Sequence, residues 1–156
     1  MASVNVGDAA PDFKLVNEEG KEITLSEFKG KKNVVLAFYP FDFSPVCTNE
    51  NACFTNDLPK FEGTDTVVLG ISADSHFTHK AWKDKLGLKH TLLADRNLEA
   101  GKAYGLTTSV DAKKFLGTFD KRATVVVDKT GVVRYVAEHA KERSNDEILG
   151  VIGKLR

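Results

Sequence analysis

Cys47 and Cys53 are the residues of this sequence best suited to covalent chemistry. Cys47 lies where a buried strand gives way to a helix. Asn33 to Tyr39 carries the continuous apolar run Val-Val-Leu-Ala-Phe, as in a strand covered on both faces. Pro40 and Pro45 bracket a loop, and a helix is expected from near Pro45 or Cys47 towards Leu58, before Pro59. Free N–H groups and the helix dipole at such a junction favour negative charge. The thiolate is the nucleophilic form of cysteine, so Cys47 is placed as a reactive sulfur, against the alternative of a small buried residue at a helix start.

Cys53 follows with five residues between. Six helical steps rise about 9 Å, whereas a disulfide needs Cα atoms within roughly 7 Å. An intact helix therefore keeps the two sulfurs apart. Two cysteines are too few for a secreted disulfide framework, and a pair retained in a reducing compartment points to metal binding or redox work. A dithiol oxidoreductase would need two cysteines separated by two residues, which this chain lacks. A redox sensor or chaperone that signals through Cys47 oxidation is a third reading, separable only by reaction rate.

Other polar residues read more plainly. His76 and His79, three apart on an expected helix, form a conceivable metal pair, but no third ligand follows at suitable spacing, so no metal is assigned and a partly exposed face is expected. His90 and His139 have no evident partners. Glu50, one turn beyond Cys47, is either a favourable acid in a first turn or a group that holds a cation near the sulfur.

The positioning elements alternate. Phe13 and Leu15, then Ile23 to Leu25, alternate like strands around the turn Asn17 to Gly20, and Ser26 to Phe28 reads as one helical turn before Gly30. Val67 to Ile71 is a second buried strand. Asp74 or Ser75 caps a helix carrying Phe77, Ala81, Trp82 and Leu86, with Phe77, Trp82 and Leu86 expected in the core and Gly87 at its end. A short strand, His90 to Ala94, precedes a short helix, Leu98 to Tyr104. A hairpin joins Ala123–Asp128 to Val132–Ala137 through Lys129, Thr130 and Gly131, and Ser144 caps a last helix with Ile148, Leu149, Ile152 and Leu155 inward. This order gives an α/β fold with a central mixed sheet flanked by helices, in one domain over residues 1–156.

The chain has 156 residues, 42% apolar and 28% charged, with 22 basic and 22 acidic side chains. Zero net charge argues against nucleic acid and membrane surfaces as partners. The one basic run, Lys29, Lys31 and Lys32, is expected in a solvated turn. No basic start or apolar stretch marks a targeting segment, so a cytoplasmic location is expected.

Pro40, Ser44 and Cys47 have the spacing of the peroxiredoxin active-site motif, with Ser44 where threonine is commoner. Further likeness lies in Gly7 to Phe13, similar to that family's N-terminal strand, in Leu25 to Gly30, and in Arg122 before Ala123 to Asp128. The chain thus resembles peroxiredoxins, most closely the bacterioferritin-comigratory (peroxiredoxin Q) group, while Thr78 to Trp82 resembles the alkyl hydroperoxide reductase E group. The resemblance implies a thioredoxin-like fold with an N-terminal extension and a thiol peroxidase without organic cofactor. Cys47 would attack hydrogen peroxide or an alkyl hydroperoxide and become a sulfenic acid. Arg122 would polarise the peroxide bond, Ser44 would bond thiolate and substrate, and Pro40 would shield the sulfur. The backbone N–H groups of Val46 and Cys47 would hold developing charge. Phe41 and Phe43 hint that organic hydroperoxides are tolerated. The usual spacing to a resolving cysteine is four residues between; here it is five, which leaves Cys53 as either the resolving cysteine or an inert thiol. Thioredoxin or another thiol reductant is the implied partner, and the group includes monomers and homodimers.

Overall fold

The computed structural model describes residues 3–109, 117–139 and 144–155. Its seven-stranded sheet is built around three parallel strands, β3 (Asn33–Phe38), β4 (Thr66–Ser72) and β5 (Thr91–Ala94), in the order β5-β4-β3. β8 (Ala123–Val127) adds antiparallel to β3, and β9 (Val133–Glu138) follows it as the expected hairpin. On the other side, β1 (Lys14–Asn17) pairs antiparallel with β5 and with β2 (Glu22–Thr24). Leu25–Phe28 is the expected single turn, of 3-10 type. β3 and β8 are buried at every residue, as strands covered on both faces must be.

The helices are α1 (Pro45–Glu62), α2 (His76–Leu86), α3 (Glu99–Ala103) and α4 (Asp146–Gly153). Val35, Ala37, Val68 and Val126 meet Phe54, Phe61, Ile148 and Ile152, which puts α1 and α4 on one face of the sheet. The opposite face packs Val34, Leu36, Leu69, Leu93 and Val125 against Phe13, Tyr104 and Leu106. No helix among the described residues is long and apolar enough to cross a membrane.

Several elements depart from the sequence expectation. α1 does not stop at Leu58 but runs through Pro59 to Glu62. Pro59 forfeits one backbone hydrogen bond, and the continued helix buries Phe61 with its ring 5.9 Å from that of Phe54. Gly7 to Phe13 forms one bridge, Ala9 with Val132, instead of a strand, since Pro11 has no N–H to extend a ladder. α4 is capped by Asn145, whose side chain bonds Asp57 at 3.0 Å, while the Ser144 hydroxyl accepts the Asp146 N–H at 3.2 Å. On α2 the Ser75 cap holds and Trp82 is buried, but Phe77 is 74% and Leu86 37% exposed. A short ribbon, β6 (Thr107–Ser109) with β7 (Thr118–Asp120), has no counterpart in the sequence reading.

β7 carries a buried acid. As a carboxylate, Asp120 finds no hydrogen-bond donor for either oxygen among the described residues. Its approach depends on Gly101 in α3, where a Cβ would lie 2.0 Å from Asp120 Oδ1. Burial, reinforced by the charge of Asp95, pushes the Asp120 carboxyl up to about 9. The folded chain therefore holds a proton that the unfolded chain releases above about pH 4. This linkage leaves stability intact at low pH and erodes it as pH rises from about 4 to about 9. Asp120→Asn removes the titration, so its melting temperature relative to the native chain is expected to rise between pH 5 and pH 8. A difference that does not change with pH would contradict the assignment.

Candidate active site

The loop from Tyr39 to Ser44 connects β3 to α1 at the carboxyl end of the parallel strands, where α/β sheets present their crevices. Phe43 turns the loop with a left-handed φ of 66°, and Ser44 is the N-cap of α1. Pro45, the first helical residue, has no N–H to leave unbonded. Val46 and Cys47 thus supply the first backbone donors of the helix, directed towards the loop. Cys47 is buried against Tyr39, Trp82, Leu88 and Leu92.

Arg122, just before β8, closes the site from the neighbouring strand. Its Nη2 donates to Cys47 Sγ at 3.0 Å and its Nη1 to Glu50 Oε1 at 3.3 Å. The side chains of Arg122 and Glu50 are only 9% and 6% exposed, so the pair is weakly screened. Glu50 reaches further, with its Oε2 lying 3.5 Å from His139 Nδ1, while His139 Nε2 meets the Thr124 hydroxyl at 3.3 Å. A fixed guanidinium of this kind sets a permanent positive charge against the sulfur and leaves further donors for an oxygen substrate. Of the two readings of Glu50, the geometry supports the one in which it holds a cation near Cys47.

Ser44 is placed differently from the expectation. Its hydroxyl donates to the Phe41 carbonyl at 2.8 Å and makes no bond to Cys47 Sγ or to the helix amides among the described residues. The tight turn at Phe43 brings that carbonyl within reach, so the hydroxyl staples the loop and keeps its lone pairs for an incoming donor. Pro40 lies half-buried at the start of the same loop.

The histidines escaped the sequence reading. His79 is fully buried rather than partly exposed: its Nδ1 lies 2.6 Å from Asp42 Oδ2 and its Nε2 3.0 Å from the Leu93 carbonyl. The Tyr39 hydroxyl donates to Asp42 Oδ1 at 2.6 Å, and the Asp42 N–H donates to Asp74 Oδ2 at 2.8 Å. Burial, with the charge of Asp42, raises the Asp74 carboxyl above its ordinary range. Asp42, Asp74 and His79 present ligand atoms within 4.8 Å of one another, but the Asp42 and His79 atoms are spent on each other, which tethers the loop to α2. His90 is likewise buried and bonded to Asn51 and Thr55. Their partners are distant in sequence, so no local spacing points to them.

Cys53 is half-buried on α1, and neither cysteine is in a disulfide. Because α1 is continuous from Pro45, both cysteines stand on one intact helix, with the rise of about 9 Å that separates six residues.

The AhpC/TSA family model matches residues 6–136. A chloroplastic peroxiredoxin Q of Populus jackii is 38% identical over 157 residues, covering 99% of this chain and 71% of that protein. A putative peroxiredoxin bcp of Coxiella burnetii is 36% identical over 155 residues, covering 98% of this chain and 99% of that protein. The crystal structure of a cysteine-to-serine mutant of Xylella fastidiosa PrxQ superposes with a TM-score of 0.87 at 25% identity, covering 98% of each chain. With a thioredoxin-like fold and peroxiredoxin Q relatives along its whole length, the chain belongs to the AhpC/TSA family and is a peroxiredoxin, a thiol-dependent peroxidase.

Proposed function

We infer that Cys47 is the peroxidatic nucleophile and Cys53 its resolving partner. The observation that carries this reading is Arg122 Nη2 at 3.0 Å from Cys47 Sγ, at the first turn of α1. The sulfur attacks one oxygen of hydrogen peroxide or an alkyl hydroperoxide. The O–O bond breaks, its electron pair leaves with the other oxygen, and that oxygen takes a proton to become water or an alcohol. Cys47 is oxidised by two electrons to the sulfenic acid. Arg122 and the Val46 and Cys47 amides stabilise charge that develops on oxygen. Ser44 orients the peroxide through its hydroxyl, Pro40 limits access to the sulfur, and Glu50 fixes Arg122.

Resolution needs movement. The first turns of α1 unwind, the Cys53 sulfur attacks Cys47, water leaves, and an intramolecular disulfide forms. Thioredoxin or a similar thiol donor then returns two electrons and two protons. A reducing compartment such as the cytoplasm supplies that donor.

Cys47→Ser is expected to abolish peroxide consumption above the rate of free thiol. Native protein treated with one equivalent of peroxide is expected to become two hydrogens lighter by intact mass. Peroxide consumption that survives Cys47→Ser would refute the nucleophile. A stable sulfenic acid without disulfide would refute the resolving role of Cys53.

A further inference from the structure

Between α1 and the sheet runs a chain of hydrogen bonds that this reaction does not use. Asn51 Nδ2 donates to the Cys47 carbonyl at 2.9 Å. Asn51 Oδ1 lies 2.8 Å from His90 Nε2, and His90 Nδ1 lies 3.0 Å from Thr55 Oγ1. Thr55 Oγ1 also accepts the Lys89 N–H at 3.1 Å. Since the Asn51 amide nitrogen is committed to a carbonyl, its oxygen must accept, so His90 Nε2 carries the ring proton. His90 Nδ1 then accepts from Thr55, and a neutral ring satisfies every atom. The pair is seated over Gly70 of β4, where a Cβ would come within 3.3 Å of Asn51 Oδ1 and 3.5 Å of His90 Nε2.

Asn51 lies between the two cysteines. Any unwinding that joins the sulfurs must lift Asn51 off His90. We propose that His90 is a positioning residue for the resolving step: through Asn51 it latches the first turns of α1 to the sheet, and its protonation in the unwound form makes that unwinding proton-driven. The role in resolution rests on the reading of Cys53 given above.

Burial, with a smaller push from the charge of Lys83, holds the packed His90 imidazole down to about 3. The charged groups around it are Lys83 on α2, which Glu18 engages, Lys89 beside it in the chain, and Glu62 on α1, which lines the same groove. Phe54 covers the ring at 6.0 Å between centroids. Once Asn51 is lifted, water reaches the ring and its ordinary value near 6.5 returns. Between about pH 6.5 and pH 3 the unwound form then binds a proton that the packed form refuses. The packed form keeps its full advantage above about pH 6.5 and loses it as pH falls below. From pH 7.5 to 5.5 the His90 contribution to the opening constant rises about tenfold.

Amide hydrogen exchange over residues 48–54 of the reduced full chain, corrected for intrinsic rates, reads this opening directly. Cys47, Glu50 and His139 also titrate or carry charge at this segment, so the comparison is between chains that share them. The rise in opening from pH 7.5 to 5.5 is expected to be about tenfold greater in the native chain than in His90→Phe. His90→Gln, which keeps a donor but does not titrate, is expected to match the weaker response while opening little more than native at pH 7.5. Equal pH responses in the native chain and either variant would overturn the latch. Because the readout needs no disulfide, it separates the two ideas. If opening follows His90 but peroxide leaves no disulfide, the latch stands and the resolving role of Cys53 falls.

Discussion

The site is organised around one guanidinium held between a carboxylate and a sulfur. Arg122 reaches Cys47 and Glu50 at once, from a position where little water competes for it. Burying a charge in this way is costly unless each donor finds a partner. Glu50 meets that requirement from within the same helix that carries Cys47. One turn of α1 therefore supplies both the sulfur and the counter-charge that holds the arginine against it, and the two cannot be moved independently.

The fold is arranged to keep that turn in place. β3 delivers Tyr39 to the loop, β8 begins immediately after Arg122, and the two strands pair from Phe38 with Ala123 onward. Asp42 ties the loop to α2 through His79, while Asn51, seated over Gly70 of β4, ties the helix to His90 at the entry to β5. In the proposed reaction these tethers have opposite consequences. The Asp42 contact lies outside the segment that must unwind, so the loop stays anchored. The Asn51 contact lies inside it, between the cysteines, and must break on each cycle. Trp82, the one tryptophan of the chain, packs in the same cluster as Cys47.

Much of this was legible in the sequence because it is local. The apolar runs in β3, β4 and β8 are continuous since both faces of the sheet are covered, and the Pro40, Ser44 and Cys47 spacing needs only a strand, a loop and a helix start. Arg122 stands 75 residues from Cys47, and only the family resemblance brought it to the site. Where local rules failed, a tertiary contact had won. Pro59 reads as a stop, but the helix carries on past it and seats Phe61 in the core. Phe77 reads as core by spacing, yet α2 turns Trp82 inward and leaves Phe77 in solvent. His79 and His90 find partners 37 and 39 residues away, which no periodicity encodes. Ser44 was expected on the sulfur and instead closes its own loop, because the left-handed turn at Phe43 sets a carbonyl closer to hand.

The dependence of Cys47 on its arginine is measured most directly by stopped-flow Trp82 fluorescence during oxidation by hydrogen peroxide, in Arg122→Gln against the native chain. Lost charge and lost donors should slow the peroxide-dependent phase by about a hundredfold or more, with the far-ultraviolet dichroism of the folded protein retained. A folded Arg122→Gln that reacts within about threefold of the native rate would contradict the account.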